Sequence, residues 1–311
     1  MSAKYPLDIL PQDGRVAIVT GANSGLGYFV ALRLGRAGAS VTLACRDPRR
    51  GEEALARMRS EAPDADFELR ALDLASLASV REFAAEAPER IDLLINNAGV
   101  MAPPHRTTAD GFELQFGTNY LGHFALTGLL LPKLEAADAP RVVTAASNMH
   151  KMGKIPWDDL QSERRYRKWS AYSNSKLANL MFAFELQRRA TAAGSKLTSY
   201  AAHPGWAATD LYHKGARVGN ATLQEKVMTI PTRYLAQSSA DGALPTLYAA
   251  TAPSVPPGAY IGPSKRMETV GPPKVVEGNA RSRNEADGRR LWEVSEQLTD
   301  VHYEFGGVLT S

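Results

Sequence analysis

Short runs of β-branched and aliphatic residues recur along this chain, and the early ones are each followed by a longer stretch in which apolar positions return every three or four residues. The runs fall at 15–20 (RVAIVT), 40–45 (SVTLAC), 67–72, 91–95 (IDLLI), 141–144 (RVVT), 197–202 and, last and shortest, 259–262. Apolar runs of this length suit strands buried on both faces, and the helical periodicity between them suits the covering layers. The alternation therefore predicts βαβ units and a mostly parallel, doubly wound α/β sheet with helices on both faces.

The punctuation agrees with that pattern. Asp47-Pro48 ahead of 49–59 sets a side-chain acceptor before a proline tolerated in a first helical turn, and Ser76 is a similar cap ahead of 77–85. No linker or repeat interrupts residues 14–303, which read as a single domain, with 1–13 as an N-terminal extension and 304–311 as a C-terminal tail. Two stretches, 148–170 and 206–230, break the periodicity. Parallel strands end at one edge of such a sheet, so long loops after late strands are expected to shape the ligand pocket. Trp157, Trp169, Trp206, Met149, Met152 and Tyr212 lie there and are candidate pocket residues, whereas the basic cluster 164–168 reads as a solvated loop. The Pro/Gly-rich segment Pro253–Pro273 is expected to wrap the surface.

Composition narrows the function classes. With 311 residues, 44% hydrophobic and 22% charged, the chain is ordinary globular protein and not a fibrous or disordered one. Lys and Arg number 36 against 33 Asp and Glu, and a net charge of +3 gives no reason to invoke a nucleic-acid partner. A lone cysteine, Cys45, forms no internal disulfide and no thiolate metal site, which fits a cytoplasmic setting. The six histidines, at 105, 123, 150, 203, 213 and 302, include no pair at metal-ligand spacing, so no metal is expected. No apolar run reaches the roughly 18 residues of a membrane span, and the N-terminus lacks a signal-peptide core.

Chemistry enters directly after the first strand. The segment TGANSGLG opens a helix, and its Gly21, Asn23, Ser24, Gly25, Leu26 and Gly27 form a turn where a diphosphate can approach backbone N–H groups at a helix N-terminus. The second strand ends in Arg46-Asp47, where a dinucleotide fold reads the adenosine ribose. An arginine there pairs with a 2′-phosphate and an acid with the 2′-hydroxyl. Arg46 thus favours NADP(H), while the adjacent Asp47 leaves NAD(H) open. Asp73-Leu74 and Asn97-Ala98-Gly99 close the next two strands at the same edge. Farther along, Tyr172 is the only tyrosine with a lysine, Lys176, four residues on, and apolar positions 177, 180, 181 and 184 put both on one helix face. An ammonium close to a phenol stabilises the phenolate, which brings a group titrating near ~10 toward use as a general acid and base.

These motifs, in this order, together with Asn119, Ser147 after RVVTAA and His203-Pro204-Gly205, resemble the short-chain dehydrogenases/reductases, a family of Rossmann type, over about residues 14–300. LACRD (43–47), NYLGHFALT (119–127), AYSNSKLAN (171–179), HPGW (203–206) and LWEVSE (291–296) resemble the subgroup of retinol dehydrogenases and protochlorophyllide reductases. The resemblance implies that Tyr172 exchanges a proton with the substrate oxygen. Lys176 lowers the tyrosine pKa and hydrogen-bonds the nicotinamide ribose, Ser147 polarises the carbonyl, and Asn119 holds a water of the proton relay. Pro204, Gly205 and Thr209 would border the nicotinamide. Tyr172 follows Ser147 by 25 positions, and 148–170 looks like the longer loop of that subgroup. One cysteine, placed at the adenosine end, speaks against light-driven reduction, and an N-terminal anchor of the kind common in retinol dehydrogenases is not expected. The expected activity is NADP(H)-dependent interconversion of an apolar or aromatic alcohol with its aldehyde or ketone. A redox sensor without turnover and a nicotinamide-dependent epimerase are the alternatives, and homo-oligomerisation is left open.

Overall fold

A computed structural model describes residues 4–5, 7–206 and 237–306. The first strand, β1 (Val16–Thr20), leads into α1 (Gly25–Arg36), followed by β2 (Ser40–Cys45), α2 (Pro48–Glu61), β3 (Phe67–Ala71), α3 (Leu77–Glu86) and β4 (Leu93–Asn96). Then come α4 (Leu114–Phe116), a π turn (Gly117–Leu121), α5 (Gly122–Leu129), α6 (Leu131–Glu135), β5 (Arg141–Ala145), a 3-10 turn (Asn148–Met152), α7 (Lys168–Ala192) and β6 (Thr198–Ala202). Helices Ser239–Gly242 and Leu244–Thr251 precede β7 (Tyr260–Lys265), β8 (Val270–Val276) and the last helix, Glu285–Thr299. The strands form one sheet in the order β3-β2-β1-β4-β5-β6-β7-β8. All neighbours are parallel except β7 and β8, which pair antiparallel.

Alternate residues of the strands feed two cores. Ile18, Leu94 and Val142 face α5, α7 and the last helix, while Ala17, Val19, Leu93, Ile95 and Val143 face α1 and the helix Leu244–Thr251. Burying a side chain of this size contributes about 1.5–3 kcal/mol, so each strand is held from above and below and the sheet edge that carries the site is rigid. Both expected caps form: Asp47 accepts from the Arg50 amide and Ser76 from the Ser79 amide. Among the described residues no helix is long and apolar enough to cross a membrane.

One expectation needs correction. Pro253–Pro273 does not simply wrap the surface, because it supplies all of β7 and the start of β8. Prolines are compatible with β8 since that strand is the sheet edge, where a missing N–H costs no ladder bond, and Pro263 sits at a register shift. In the N-terminal extension, Leu7 and Ile9 pack on the core and the Gln12 amide donates to the Ala37 carbonyl. Phe305, in the expected tail, likewise packs against the core. The irregular stretch 148–170 holds the 3-10 turn at its start and the first turn of α7 at its end.

Candidate active site

At the point where β1 meets both β2 and β4, the strand order reverses and a crevice opens at the carboxyl ends. Thr20 ends β1 and the glycine turn follows, with Gly21, Asn23 and Ser24 leading into α1 at Gly25-Leu26-Gly27. Ser24 has the extended backbone of a helix cap but its side chain makes no cap bond, and the first turn carries no acid. The amides there therefore suit an anion. A Cβ on Gly27 would stand 2.5 Å from both Asn97 Nδ2 and the Gly21 carbonyl oxygen, so only glycine lets α1 come this close to the end of β4. Asn97 Nδ2 donates to the Thr20 carbonyl at 2.8 Å, and the amides of Asn97 and Ala98 both donate to Thr20 Oγ1 at 2.9 Å. Segments 20–27 and 97–99 are thus one rigid cradle, and its close backbone and uncapped helix end fit the diphosphate of a dinucleotide.

The ribose end divides two neighbouring side chains. Asp47 is committed to its helix, accepting from the Arg50 amide at 3.2 Å and pairing with the Arg50 side chain at 3.7 Å. Arg46 is exposed at the end of β2. Cys45 is buried, and burial pushes its thiol up to about 11, which makes it unreactive. Asp73 turns the chain by accepting from the Ala75 amide at 3.0 Å, and Leu74 is buried beneath Gly122.

The tyrosine and lysine lie on α7, one turn apart. Tyr172 packs among Met101, Ala102 and Met149. Lys176 Nζ is 5.9 Å from the centre of the Tyr172 ring and donates to the Ala145 carbonyl at 2.9 Å. Burial lowers the Lys176 pKa to about 8, which leaves it cationic at neutral pH. Ser147, two residues beyond β5, caps the 3-10 turn by accepting from the Met149 amide at 3.2 Å, and Met149 in turn touches Tyr172. Asn119 sits in the π turn. Its Oδ1 accepts from the Val100 amide at 2.7 Å, and its Nδ2 donates to the Val100 carbonyl at 2.9 Å and to Ser175 Oγ at 3.0 Å. A Cβ on Gly99 would lie 3.0 Å from Asn119 Oδ1 and 3.8 Å from Lys176 Nζ, so three chain segments converge beside the cradle. A phenol, a cation that favours its ionised form and a nearby hydroxyl are the groups that exchange a proton with an alcohol or carbonyl oxygen.

The far wall comes from β6 and the β7–β8 hairpin. His203 follows β6, fully buried, with Gly205 at φ +65 and the Thr269 carbonyl where a Cβ would go. Gln237 Nε2 donates to the Pro204 carbonyl at 2.5 Å. Thr209 and Tyr212, like positions 207–230 of the second expected pocket loop, lie outside the described residues. Trp157 packs on the main core under Arg290, whose guanidinium lies 4.3 Å from the ring centre. Arg164 of the basic cluster pairs with Asp158. Sequence reasoning passed over Thr20, Ser175, His123 and His150, which hold the site from behind. The four-residue step from Asn119 to His123 and the three-residue step from Ser147 to His150 were the available signals.

The profile of the short chain dehydrogenase family matches residues 15–217. Retinol dehydrogenase 13 of Homo sapiens is 42% identical over 295 residues, covering 93% of this chain and 85% of that protein. Polyprenol dehydrogenase of Mus musculus is 40% identical over 303 residues, covering 93% and 85%. Among solved structures, an uncharacterized protein from Mycobacterium paratuberculosis superposes with a TM-score of 0.79 at 42% identity, over 96% of this chain and 98% of that one.

Proposed function

This chain belongs to the short chain dehydrogenase family, in its retinol dehydrogenase-like subgroup, and is an NAD(P)-dependent oxidoreductase acting on CH–OH groups; within it we propose an NADP(H)-dependent enzyme that interconverts apolar alcohols with their aldehydes or ketones. The observation that carries this reading is the meeting of Lys176 and Asn119 at Gly99, on the rim of the cradle, with the Tyr172 ring 5.9 Å from the Lys176 ammonium. When bound, the nicotinamide nucleotide supplies or accepts the hydride. Gly21, Asn23, Ser24, Gly25, Leu26 and Gly27 hold its diphosphate, Asn97, Ala98 and Gly99 flank it, and Arg46 pairs with the 2′-phosphate. Asp47, occupied as a helix cap, leaves Arg46 the recognition of that end.

Ser147 orients the substrate oxygen. Tyr172 gives a proton to that oxygen in reduction and takes one from it in oxidation. Lys176 stabilises the phenolate, binds the nicotinamide ribose and refills Tyr172 through a relay that passes Asn119. An apolar substrate is supported by Met101, Ala102 and Met149 around Tyr172, and by relatives named for retinol and polyprenol.

Fluorescence titration with NADPH and NADH, followed by a panel of apolar aldehydes and alcohols read at the nicotinamide absorbance, tests the proposal. NADPH binding at least about tenfold tighter than NADH is expected, since charge-assisted contacts contribute roughly 1.5–3 kcal/mol, with turnover of apolar carbonyls. Binding without turnover would replace the enzyme reading with a redox sensor.

A further inference from the structure

His123 lies on α5, four residues after Asn119, fully buried and untouched by the chemistry above. Its Nδ1 is 2.9 Å from the Asn119 carbonyl oxygen, which only accepts, so Nδ1 carries the proton. Burial and the nearby Lys176 charge keep the ring neutral, with a pKa pushed down to about 4, and Nε2 is therefore an acceptor. Nε2 faces Thr20 Oγ1 at 2.9 Å. That hydroxyl already accepts from the amides of Asn97 and Ala98, so it meets His123 as a donor; the Ile95 carbonyl, at 3.3 Å, is the longer alternative for its proton. Every bond then has one direction: Asn97 and Ala98 to Thr20, Thr20 to His123, His123 to Asn119. One end of this chain is the phosphate cradle. The other is the π turn that presents Asn119 to Ser175 and Val100 beside Lys176, and π turns concentrate at functional positions.

We infer that His123 is a positioning residue that ties the nucleotide cradle at Thr20 to the Asn119 carbonyl, so that the proton-relay turn is held in register with the seated nucleotide. This rests on the dehydrogenase reading for its rate measurement. Its specific content is that the link acts on kcat more than on nucleotide affinity, and that it runs through the Thr20 hydroxyl.

The substitutions His123→Asn, Thr20→Val, Thr20→Ser and the double variant His123→Asn/Thr20→Val separate the link from plain packing. Asparagine retains a donor near the Nδ1 position but cannot reach Thr20. Expected for His123→Asn are a kcat at least about tenfold lower with NADPH and an apolar aldehyde, and an NADPH Kd within about threefold of wild type, a split that lost packing alone would not produce. Thr20→Val is expected to lose rate too, with Thr20→Ser recovering most of it. The double variant should be no slower than Thr20→Val alone, because both remove one link. A kcat for His123→Asn within twofold of wild type, or single losses that multiply in the double variant, overturns the inference. Should His123→Asn fail to fold, the Thr20 pair decides: equal rates for folded Thr20→Val and Thr20→Ser overturn it. Wild type that turns over while the variants match it sinks only this inference, whereas wild type that binds no nucleotide sinks the dehydrogenase reading itself.

Discussion

On the cradle side of the cleft His123 has both ring nitrogens engaged, each at 2.9 Å, while on the side of β6 and the hairpin His150 and His203 each leave Nε2 without a hydrogen-bond partner among the described residues. The contrast extends outward. Asn97 is tied to Thr20, and Asn119 to Val100 and Ser175, by short bonds. Across the cleft, Arg266, Met267 and Glu268 are three successive left-handed residues at the hairpin tip, and Met267 and Met152 are 92% and 74% exposed. Each such backbone residue costs roughly 1–3 kcal/mol, as does a buried polar atom left unpaired, at about 1–3 kcal/mol. The tip is held nonetheless: Lys151 pairs with Glu268 at 3.2 Å and Asn148 donates to the Glu268 carbonyl at 3.2 Å, which joins the hairpin to the turn behind Ser147.

Breaking the cradle side should damage chemistry and nucleotide binding in a graded way. Lys176→Met removes the only buried ammonium described beside Tyr172. A loss of roughly 10²–10⁴ in kcat is expected, with the pH–rate curve between pH 6 and 10 displaced to higher pH because the phenolate has lost its counter-charge. Gly27→Ala sets a methyl against Asn97 Nδ2 and the Gly21 carbonyl. A rise of at least about tenfold in NADPH Kd, with a lower melting temperature, is expected from overpacking of about 1–3 kcal/mol. Arg46→Ala should weaken NADPH by about tenfold and NADH by less than twofold, because only NADPH carries the 2′-phosphate. Equal losses would place that contact elsewhere.

The smallest effect concerns acid stability and involves both sides. His123 and His203 are neutral in the fold, with pKa values lowered to about 4 and about 3 by burial; His123 faces Lys176, and His203 faces His150, Lys151 and Glu268. Near pH 6.5 and below, the unfolded chain binds protons that these folded imidazoles refuse, so stability falls as pH drops from about 6.5 toward 4. Melting temperatures over that range should decline less steeply in His123→Asn than in wild type. A parallel decline would mean that carboxylates alone set the acid limit.

The sheet was legible in the sequence because strands buried on both faces leave unbroken apolar runs, as RVAIVT and IDLLI do. Tyr172 and Lys176 were legible because helical spacing fixes a shared face, and Asp47 and Ser76 because a cap is a local event. What stayed hidden is non-local or locally contradictory. The run 259–262 marked only the start of β7; Pro263, Pro272 and Pro273 argue against a strand, and only their place at a register shift and on the sheet edge explains the rest of β7 and β8. The hairpin tip turns without a glycine. The π turn at Asn119 leaves no compositional mark, and the Thr20 hydroxyl that meets His123 Nε2 is 103 residues away in sequence.

The most direct measurement is Tyr172→Phe beside wild type, with NADPH titration and NADPH-dependent reduction of an apolar aldehyde read on the same preparations. The phenyl ring retains the packing against Met101, Ala102 and Met149 and loses only the hydroxyl. The account predicts an NADPH Kd within about twofold of wild type and turnover lower by roughly 10²–10⁴; a variant that binds NADPH and keeps more than a tenth of the wild-type rate would contradict it.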